Sequence, residues 1–292
     1  MFPKASDLHK PNKPLIPNGL GVIYVLASAT YLFLLYYYFQ TTGAEVANDV
    51  ASALVLAVCV LFGGFMGLLD DWMDLRWRYK AFFPLIAAIP LISLATRLPL
   101  RTYIVLPFFG IIDFGVYYYF IIIPLIVTIA TNTVNQLGGL NGLETICPGI
   151  ILSGLMLLSG SSAILLAVPF FVWFVLAFFN FRGKIFVGNT GSFAIGITLA
   201  AFAIISDLKT SLLVSLLPYI FNSSLILLTY FLFRTKAAVW FDGEKLSASH
   251  RRSLITVVAH NRRLTERQVV VIISLLVAAS TSLAVLVQLF WT

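Results

Sequence analysis

The sequence predicts an all-α membrane protein built as a polytopic bundle of transmembrane helices. Hydrophobic residues make up 60% of its 292 residues and charged residues only 11%, whereas an ordinary soluble domain carries about 25% charged residues. Several uncharged apolar runs are long enough to cross a hydrocarbon layer about 30 Å thick. These observations exclude a soluble globular fold, and we expect residues 1–292 to form one integral membrane domain.

Nine apolar runs predict about nine membrane spans. The runs cover residues 20–39, 50–69, 82–96, 114–134, 147–159, 163–179, 192–206, 211–233 and 269–291. Because the fifth run is short and the sixth follows it closely, residues 160–162 are expected to form a tight turn between two antiparallel helices.

The basic residues predict the orientation of the bundle. If alternate connections share one side, all but three of the 19 basic residues lie there, and Arg97, Arg101 and Lys209 lie opposite. Lys and Arg concentrate in cytoplasmic loops, so this side is predicted to be cytoplasmic. The net charge of +7 is thereby explained without a nucleic-acid partner. The largest cytoplasmic connection, residues 234–268, carries eight basic and three acidic residues.

The first polar cluster, LLDDWMDLRWRYK, follows the second span at residues 68–80. Helical spacing predicts Asp70 and Asp74 on one face, with Asp71 within reach of Asp74. A helix C-terminus disfavours anions, so these carboxylates need a divalent metal or the basic residues that follow, which include Lys80. A solvated helix end neutralised by those basic residues is the alternative.

The second cluster, NTVNQLGGLNGLE, follows the fourth span at residues 132–144. Asn132 and Asn135 lie one helical turn apart, and three glycines then break the helix in the segment that also holds Asn141 and Glu144. Glycines permit a ligand to approach the backbone closely. Amides both donate hydrogen bonds and offer neutral oxygen ligands, which suits metal, phosphate or nucleobase binding. An amide-capped helix end is the alternative.

The third cluster, FNFRGKIFVGNTGSF, precedes the seventh span at residues 179–193. It combines basic residues and the aromatic Phe186 with a turn at a helix N-terminus, which favours anions. Ordinary capping by Asn189, Thr190 or Ser192 is the alternative.

The fourth cluster lies in the large connection, where His250, Arg251 and Arg252 are candidates to clamp phosphate. An ordinary basic loop that attracts anionic lipid is the alternative. All four clusters share the predicted cytoplasmic side. Together they offer oxygen ligands for Mg²⁺, cations for phosphate and an aromatic ring for a base, which indicates phosphoryl transfer from a nucleotide to a membrane-embedded acceptor.

These motifs resemble the polyprenyl-phosphate N-acetylhexosamine-1-phosphate transferase family, most closely its dolichyl-phosphate GlcNAc-1-phosphate branch. SDLHKPNKPLIPNG, the paired-aspartate motif of residues 68–80, NTVNQLGGLNGLE and FVGNTGSF occur in the family's order. Such ordered matches are more specific than a lone short pattern.

The resemblance implies a role for each matched residue. Asp70 and Asp71 would form the catalytic pair and Lys80 would contact phosphate. Asn135, Asn189 and Asp71 would hold Mg²⁺, with Mn²⁺ as an alternative ion. The other matched residues would bind the substrates. Asn141 and Phe186 would bind uracil, and His250 and Arg251 would contact the sugar diphosphate. Other parts of the substrates would be contacted by Asp74, Asn132, Glu144 and Arg252.

The implied reaction transfers GlcNAc-1-phosphate from UDP-GlcNAc to a polyprenyl or dolichyl phosphate and releases UMP. The active site is expected to be cytoplasmic, in the plasma membrane of a prokaryote or in the endoplasmic reticulum. Membrane lipid and a homodimer are further expected partners. A nucleotide-sugar or lipid-phosphate transporter is the alternative class, against which stands the clustering of polar residues on one side.

Two features depart from the family pattern. Asn189 stands where the family usually has an aspartate that binds the metal, so metal binding should be weaker, and an inactive relative is a further alternative. The family also generally has ten spans. Only six residues precede Asp7, so we expect the first span to be absent from this chain.

Overall fold

In a computed structural model, the chain is a helical bundle. Residues 2–42, 47–97, 100–106, 110–234 and 238–291 are described. The helices are α1 (Gly21–Thr42), α2 (Ala47–Met73), α3 (Trp77–Ala95), α4 (Ile123–Gln136), α5 (Leu143–Leu158), α6 (Ala167–Phe181), α7 (Gly188–Ile205), α8 (Lys209–Ser215), α9 (Leu217–Leu228), α10 (Leu254–Val258) and α11 (Glu266–Trp291).

The prediction of a polytopic helical membrane protein is confirmed. Each of the nine apolar runs overlaps a helix. Among the described residues, seven helices are long and apolar enough to cross a membrane, and the bent pair α8 and α9 raises that number to eight. The ninth run corresponds to α5, a shorter apolar helix. Pro218 lies in the first turn of α9, where the chain bends by 56°, because proline cannot donate the hydrogen bond that would continue α8.

The link between the fifth and sixth runs differs slightly from the prediction. The turn falls at Ser159, and residues 160–162 already belong to a 3₁₀ segment, Gly160–Leu166, that leads into α6. The helices do run antiparallel, since the indole Nε1 of Trp173 in α6 donates to the carbonyl of Thr145 in α5 at 2.8 Å.

Helix α7 forms the centre of the bundle, and 89% of its residues are buried. Helix α2 packs against it through glycines, because a Cβ on Gly67 would lie 2.2 Å from the carbonyl oxygen of Asn189. A Cβ on Gly21 of α1 would lie equally close, 2.2 Å, to Cα of Gly191. Small residues permit this approach of helix backbones in membranes. It fixes the position of the first turn of α7.

In the described part of the chain, three two-stranded antiparallel hairpins accompany the helices, and none of them was predicted. The strands are β1 (Lys4–Ser6), β2 (Leu15–Pro17), β3 (Tyr103–Leu106), β4 (Gly110–Asp113), β5 (Trp240–Phe241) and β6 (Leu246–Ser247). The hairpin of β1 and β2 reaches the N-terminal end of α7, where the amide of Phe186 donates to the carbonyl of Pro17 at 2.8 Å.

The far end of α7 carries a separate charged group. Arg101 Nε pairs with Asp207 Oδ2 at 2.5 Å, and the buried Lys209 binds the same carboxylate. A helix of this length spans about 27 Å, so these residues lie across the bundle from the N-terminus of α7. The structure therefore brings Arg101 and Lys209 to the same end, as the sequence predicted.

The connection 234–268, of which residues 235–237 lie outside the described part, folds onto the bundle. A capping box of Ser253 and Thr256 begins α10, and the amide of Leu254 donates to Asn222 Oδ1 of α9 at 2.8 Å. The hydrogen bond from Arg263, with those from the amides of Lys245 and Glu244, holds the pKa of Asp242 well below its usual range. The loop is thus ordered by local contacts.

Candidate active site at the N-terminal end of α7

A polar cleft of about 270 Å³ lies at the N-terminal end of α7. Five of the predicted site residues meet there, although they come from four separate segments. The cleft is lined by Ala5, Asn18, Asp71, Asn135, Gln136, Gly138, Gly139, Glu144, Phe186, Gly188, Asn189 and Ser192. Of these, Asn18 is a residue that sequence reasoning missed, since it lies in a proline-rich segment without a helical pattern.

Asp71 caps α7 from the neighbouring helix α2. Its Oδ1 accepts the amide of Asn189 at 2.8 Å, and its Oδ2 accepts the amide and the hydroxyl of Thr190 at 2.9 and 2.7 Å. These amides belong to the first turn, where helix N–H groups have no partner within the helix. The anion that the N-terminus of α7 favours is therefore a side chain of the protein itself.

Ser192 links Asn135 of α4 to the first turn of α7. The hydroxyl of Ser192 donates to Asn135 Oδ1 at 2.5 Å and also approaches the carbonyl of Asn189 at 3.3 Å. Thus α4 is tied to the first turn of α7. Both residues border the cleft. Capping by Asn189, one form of the alternative interpretation, is not what the structure shows, because Asp71 accepts the first-turn amides.

Phe186 is held by backbone hydrogen bonds on both sides. Its amide donates to Pro17, and its carbonyl accepts the amide of Leu20 at 3.1 Å. The next residue, Val187, accepts the amide of Gly21 at 2.9 Å. These bonds fix the backbone of a half-buried aromatic residue at the edge of the cleft, so a ring is available for stacking against a planar ligand.

Glu144, in the first turn of α5, lines the cleft and is oriented by Asn180. Asn180 Nδ2 donates to Glu144 Oε1 at 3.0 Å and to the carbonyl of Ile185 at 2.9 Å. Its Oδ1 accepts the amide of Gly142 at 2.8 Å and the hydroxyl of Thr145 at 2.9 Å. Asn180 is fully buried. Sequence reasoning missed it, because an amide within an aromatic helix shows no local partner.

Asp70 precedes Asp71 but, like Lys80, is not among the residues that line the cleft, and its buried carboxylate forms an ion pair with Lys80. Lys80 Nζ is 2.8 Å from Asp70 Oδ2, and the amide of Leu75 donates to Asp70 Oδ1 at 3.0 Å. The predicted helical face shared by Asp70 and Asp74 is wrong, because α2 ends at Met73 and Asp74 has a left-handed backbone with φ 47°. The basic residue after the helix neutralises Asp70, as one interpretation of the sequence expected.

Asn141 lies in a neighbouring polar network and not on the cleft surface. Its Nδ2 donates to Asp7 Oδ2 at 2.7 Å and to Glu266 Oε1 at 3.0 Å, and its amide also donates to Glu266. Lys10 pairs with Glu266 Oε2 at 2.5 Å. This buried network ties the β1–β2 hairpin to the start of α11, and ligand-type atoms of Asp7, His9 and Glu266 lie within 4.8 Å of one another.

The other predicted residues also lie outside the cleft lining. Asn132 Nδ2 donates within its own helix to the carbonyl of Thr128 at 3.0 Å. His250, Arg251 and Arg252 precede α10 in the large connection, where the amide of Arg252 donates to Thr256 at 2.9 Å. Their assignments to substrate binding stay predictions.

The donors around the cleft suit a hard divalent cation. They are carboxylate, carboxamide and hydroxyl oxygens, the ligand class that Mg²⁺ and Mn²⁺ prefer. A Cβ on Gly188 would lie 2.8 Å from Asp71 Oδ2 and 3.1 Å from Asn18 Oδ1. Glycine at this position, with φ 70°, therefore keeps space between oxygen donors. The residues present fit the ion that the resemblance implies.

The fold and this cleft together define a polytopic helical membrane protein with an oxygen-rich polar site at one end of its bundle. The chain belongs to glycosyl transferase family 4, which matches residues 53–207. The family resemblance of the sequence motifs is thereby confirmed.

Individual relatives extend the similarity over most of the chain. A protein of Saccharolobus solfataricus with the provisional name UDP-N-acetylglucosamine–dolichyl-phosphate N-acetylglucosaminephosphotransferase is 32% identical over 97% of this chain and 87% of its own length. The Saccharomyces cerevisiae protein of that name, without the provisional label, is 28% identical over 74% of this chain and 58% of its own. A phospho-N-acetylmuramoyl-pentapeptide-transferase of Bacillus cytotoxicus is 31% identical over 68% of this chain and 63% of its own. The chain thus spans less than two thirds of the yeast and Bacillus relatives.

Proposed function

We propose that the protein transfers GlcNAc-1-phosphate from UDP-GlcNAc to a polyprenyl phosphate of the dolichyl type and releases UMP. The observation that carries the proposal is the convergence of Asp71, Asn135, Glu144, Phe186 and Asn189 on one cleft at a bundle end. Relatives named for this reaction include both the archaeal and the yeast protein. The proposed site takes a nucleotide, a sugar and a lipid phosphate together.

In the proposed reaction, an oxygen of the lipid phosphate attacks the phosphorus that carries the sugar. A P–O bond forms to the lipid phosphate, the P–O bond to UMP breaks, and UMP leaves with the electron pair. Phe186 stacks on uracil, and Lys80 contacts a phosphate. Asp70 orients the Lys80 amine through their 2.8 Å ion pair. These groups contribute chiefly by positioning and charge.

Mg²⁺, when bound, supplies charge neutralisation of the diphosphate. Asn135, Asn189 and Asp71 are the proposed ligands from the sequence, and all three border the cleft. Asn135 keeps an acceptor site on Oδ1 beyond the one that Ser192 uses, since a carbonyl oxygen has two lone pairs. The cleft therefore offers the oxygen donors that the ion requires.

A lipid acceptor fits the surroundings of the cleft. An apolar groove of about 350 Å³ begins at Thr145 and Ile146, the residues next to Glu144, and continues along α6 from Phe170 to Phe181. Aromatic side chains on α6 are exposed at this level, among them Phe174. An apolar chain is thereby accommodated close to a polar site.

The proposed active site faces the cytoplasm, because the segments that form the cleft belong to the basic side of the bundle. Plasma membrane and endoplasmic reticulum both satisfy this orientation. A homodimer and bound membrane lipid stay predictions, which the mass of the detergent-solubilised protein and lipid analysis would test.

The test is a transferase assay with purified protein, Mg²⁺, a polyprenyl phosphate and a panel of UDP-sugars that includes UDP-MurNAc-pentapeptide. We expect UMP and lipid-linked GlcNAc diphosphate to form with UDP-GlcNAc. The exposed acid Glu244 lies away from the cleft, so Glu244→Gln serves as a control that keeps this activity. Uptake of UDP-GlcNAc into sealed vesicles without UMP formation would instead support a transporter.

A further inference from the structure

We propose that Glu144 supplies the anionic metal ligand that this chain lacks at position 189. The proposal rests on the proposed function for the identity of the ion site. The amides Asn135 and Asn189 offer neutral oxygens, whereas affinity for a divalent cation depends strongly on the number of charged ligands. Among the described residues that line the cleft, the carboxylates are Asp71 and Glu144.

Most of the hydrogen-bond acceptor sites of Asp71 are occupied by the helix that it caps. A carboxylate has about four lone-pair sites, and three are used by the amides of Asn189 and Thr190 and by the hydroxyl of Thr190. Its Oδ2 already accepts two of these bonds. Asp71 thus offers one further acceptor site, on Oδ1, and moving the carboxylate would leave the first turn of α7 without its cap.

Glu144 has more free acceptor capacity than Asp71. Its carboxylate accepts Asn180 Nδ2 at 3.0 Å and the amide of Val187, which leaves about two of four sites. The side chain borders the same cleft as the two asparagines. Its Oε2 lies toward Gly138, where a Cβ would be 3.7 Å from it, so this oxygen is not crowded by a side chain there.

Asn180 gives Glu144 a fixed orientation. Asn180 is fully buried and is held by hydrogen bonds with Gly142, Thr145 and Ile185. Because its Nδ2 also donates to Glu144, the Glu144 carboxylate cannot turn freely. A hydrogen-bonded partner of this kind orients metal ligands in general. The arrangement is what a carboxylate ligand needs, and Asp71 takes no part in the hydrogen bonds of Asn180.

Mn²⁺ binding to the detergent-solubilised full chain tests the proposal, measured by electron paramagnetic resonance without UDP-sugar or lipid. We expect Glu144→Gln to weaken Mn²⁺ binding at least tenfold, the lower end of the effect of altering a metal's ligand environment. Glu244→Gln removes the same charge outside the cleft and should leave binding unchanged. Adding Asn189→Asp to Glu144→Gln should restore the parent affinity to within about threefold, because it returns one anionic oxygen to the cleft.

Three results would overturn the proposal. They are a parent that binds no Mn²⁺, a Glu144→Gln variant that binds Mn²⁺ like the parent, and a loss that Asn189→Asp does not restore. If Glu144→Gln does not fold, Glu144→Asp keeps the charge but withdraws the carboxylate by one methylene, and it should still weaken binding by about threefold or more. Unchanged binding in that folded variant would also overturn the proposal.

The metal-ligand proposal and the proposed function can be refuted independently of each other. Mn²⁺ binding through Glu144 without any UMP release would refute the proposed function and leave the metal ligand standing. UMP release from UDP-GlcNAc, together with Mn²⁺ binding that ignores Glu144, would do the reverse.

Discussion

Replacing Asp71 with alanine separates two roles of one carboxylate, the cap of α7 and the proposed contribution to the reaction. The hydrogen bonds of Asp71 set the loss of stability that we expect from removing the cap. Asp71 accepts three hydrogen bonds from Asn189 and Thr190, but it is exposed, so water replaces part of what is lost. The loss of a helix N-cap costs about 0.5–2 kcal/mol, and we expect Asp71→Ala to lower stability by about 1–2 kcal/mol.

Such a loss of stability is too small to remove activity by unfolding. It corresponds to a fall in Tm of about 2–8 °C, at about 2–4 °C per kcal/mol. If the carboxylate serves phosphoryl transfer, turnover should fall at least 100-fold, or about 2.7 kcal/mol in activation free energy. Thermal unfolding in detergent and UMP release with saturating substrates measure the two quantities on the same preparation.

Thr190→Val is the matched control for Asp71→Ala. It removes the hydroxyl that donates to Asp71 Oδ2 at 2.7 Å but leaves the carboxylate and both amide bonds. We expect Tm to fall by a few degrees at most and turnover to stay within about threefold, since a single net hydrogen bond contributes about 0.5–1.5 kcal/mol. Turnover within tenfold of the parent in Asp71→Ala would refute the catalytic role, and an unchanged Tm would refute the capping argument.

Three further variants test other parts of the cleft. Phe186→Ala should weaken UMP binding by about 1–3 kcal/mol if the ring stacks on uracil, and equal thermal stabilisation of variant and parent by UMP would contradict stacking. Asn180→Ala should lower the thermal stability by about 1–3 kcal/mol, because buried hydrogen-bond partners lose their acceptor or donor; an unchanged unfolding temperature would count against this. Gly67→Ala should reduce turnover and stability together, since its Cβ would lie 2.2 Å from the Asn189 carbonyl. If the variant had the turnover and stability of the parent, α7 could move away from α2 without affecting the site.

The helices were predictable because each apolar run is one continuous, long segment of the sequence. All nine runs overlap helices in the structure, and hydrophobic length alone carries that signal. The number of crossings was less accessible, because it depends on how α8 and α9 bend at Pro218 and on the shorter α5. The three hairpins were missed because their strands are only two to four residues long, too short to show a clear hydrophobic alternation.

The site was predictable where a motif residue lies at a helix end that meets the start of α7. Asp71, Asn135 and Asn189 satisfy that condition. The partners of Asn141 could not be foreseen, since Asp7 and Glu266 are 134 and 125 residues away in the sequence. Asp74 was misplaced for a local reason, because α2 ends one residue earlier than its spacing assumed.

The charges of the cleft are the reason that we expect the proposed reaction to need a cation. None of the described residues that line it is basic, while Asp71 and Glu144 bring two carboxylates. A helix N-terminus would ordinarily attract the diphosphate, but the first-turn amides of α7 already donate to Asp71. A nucleotide diphosphate would therefore meet like charges in a confined space, and Lys80, which does not line the cleft, is paired with Asp70. A divalent cation held by oxygen ligands removes this repulsion. We therefore expect nucleotide binding in this chain to depend on a divalent cation, because Asp71 already occupies the first-turn amides of α7.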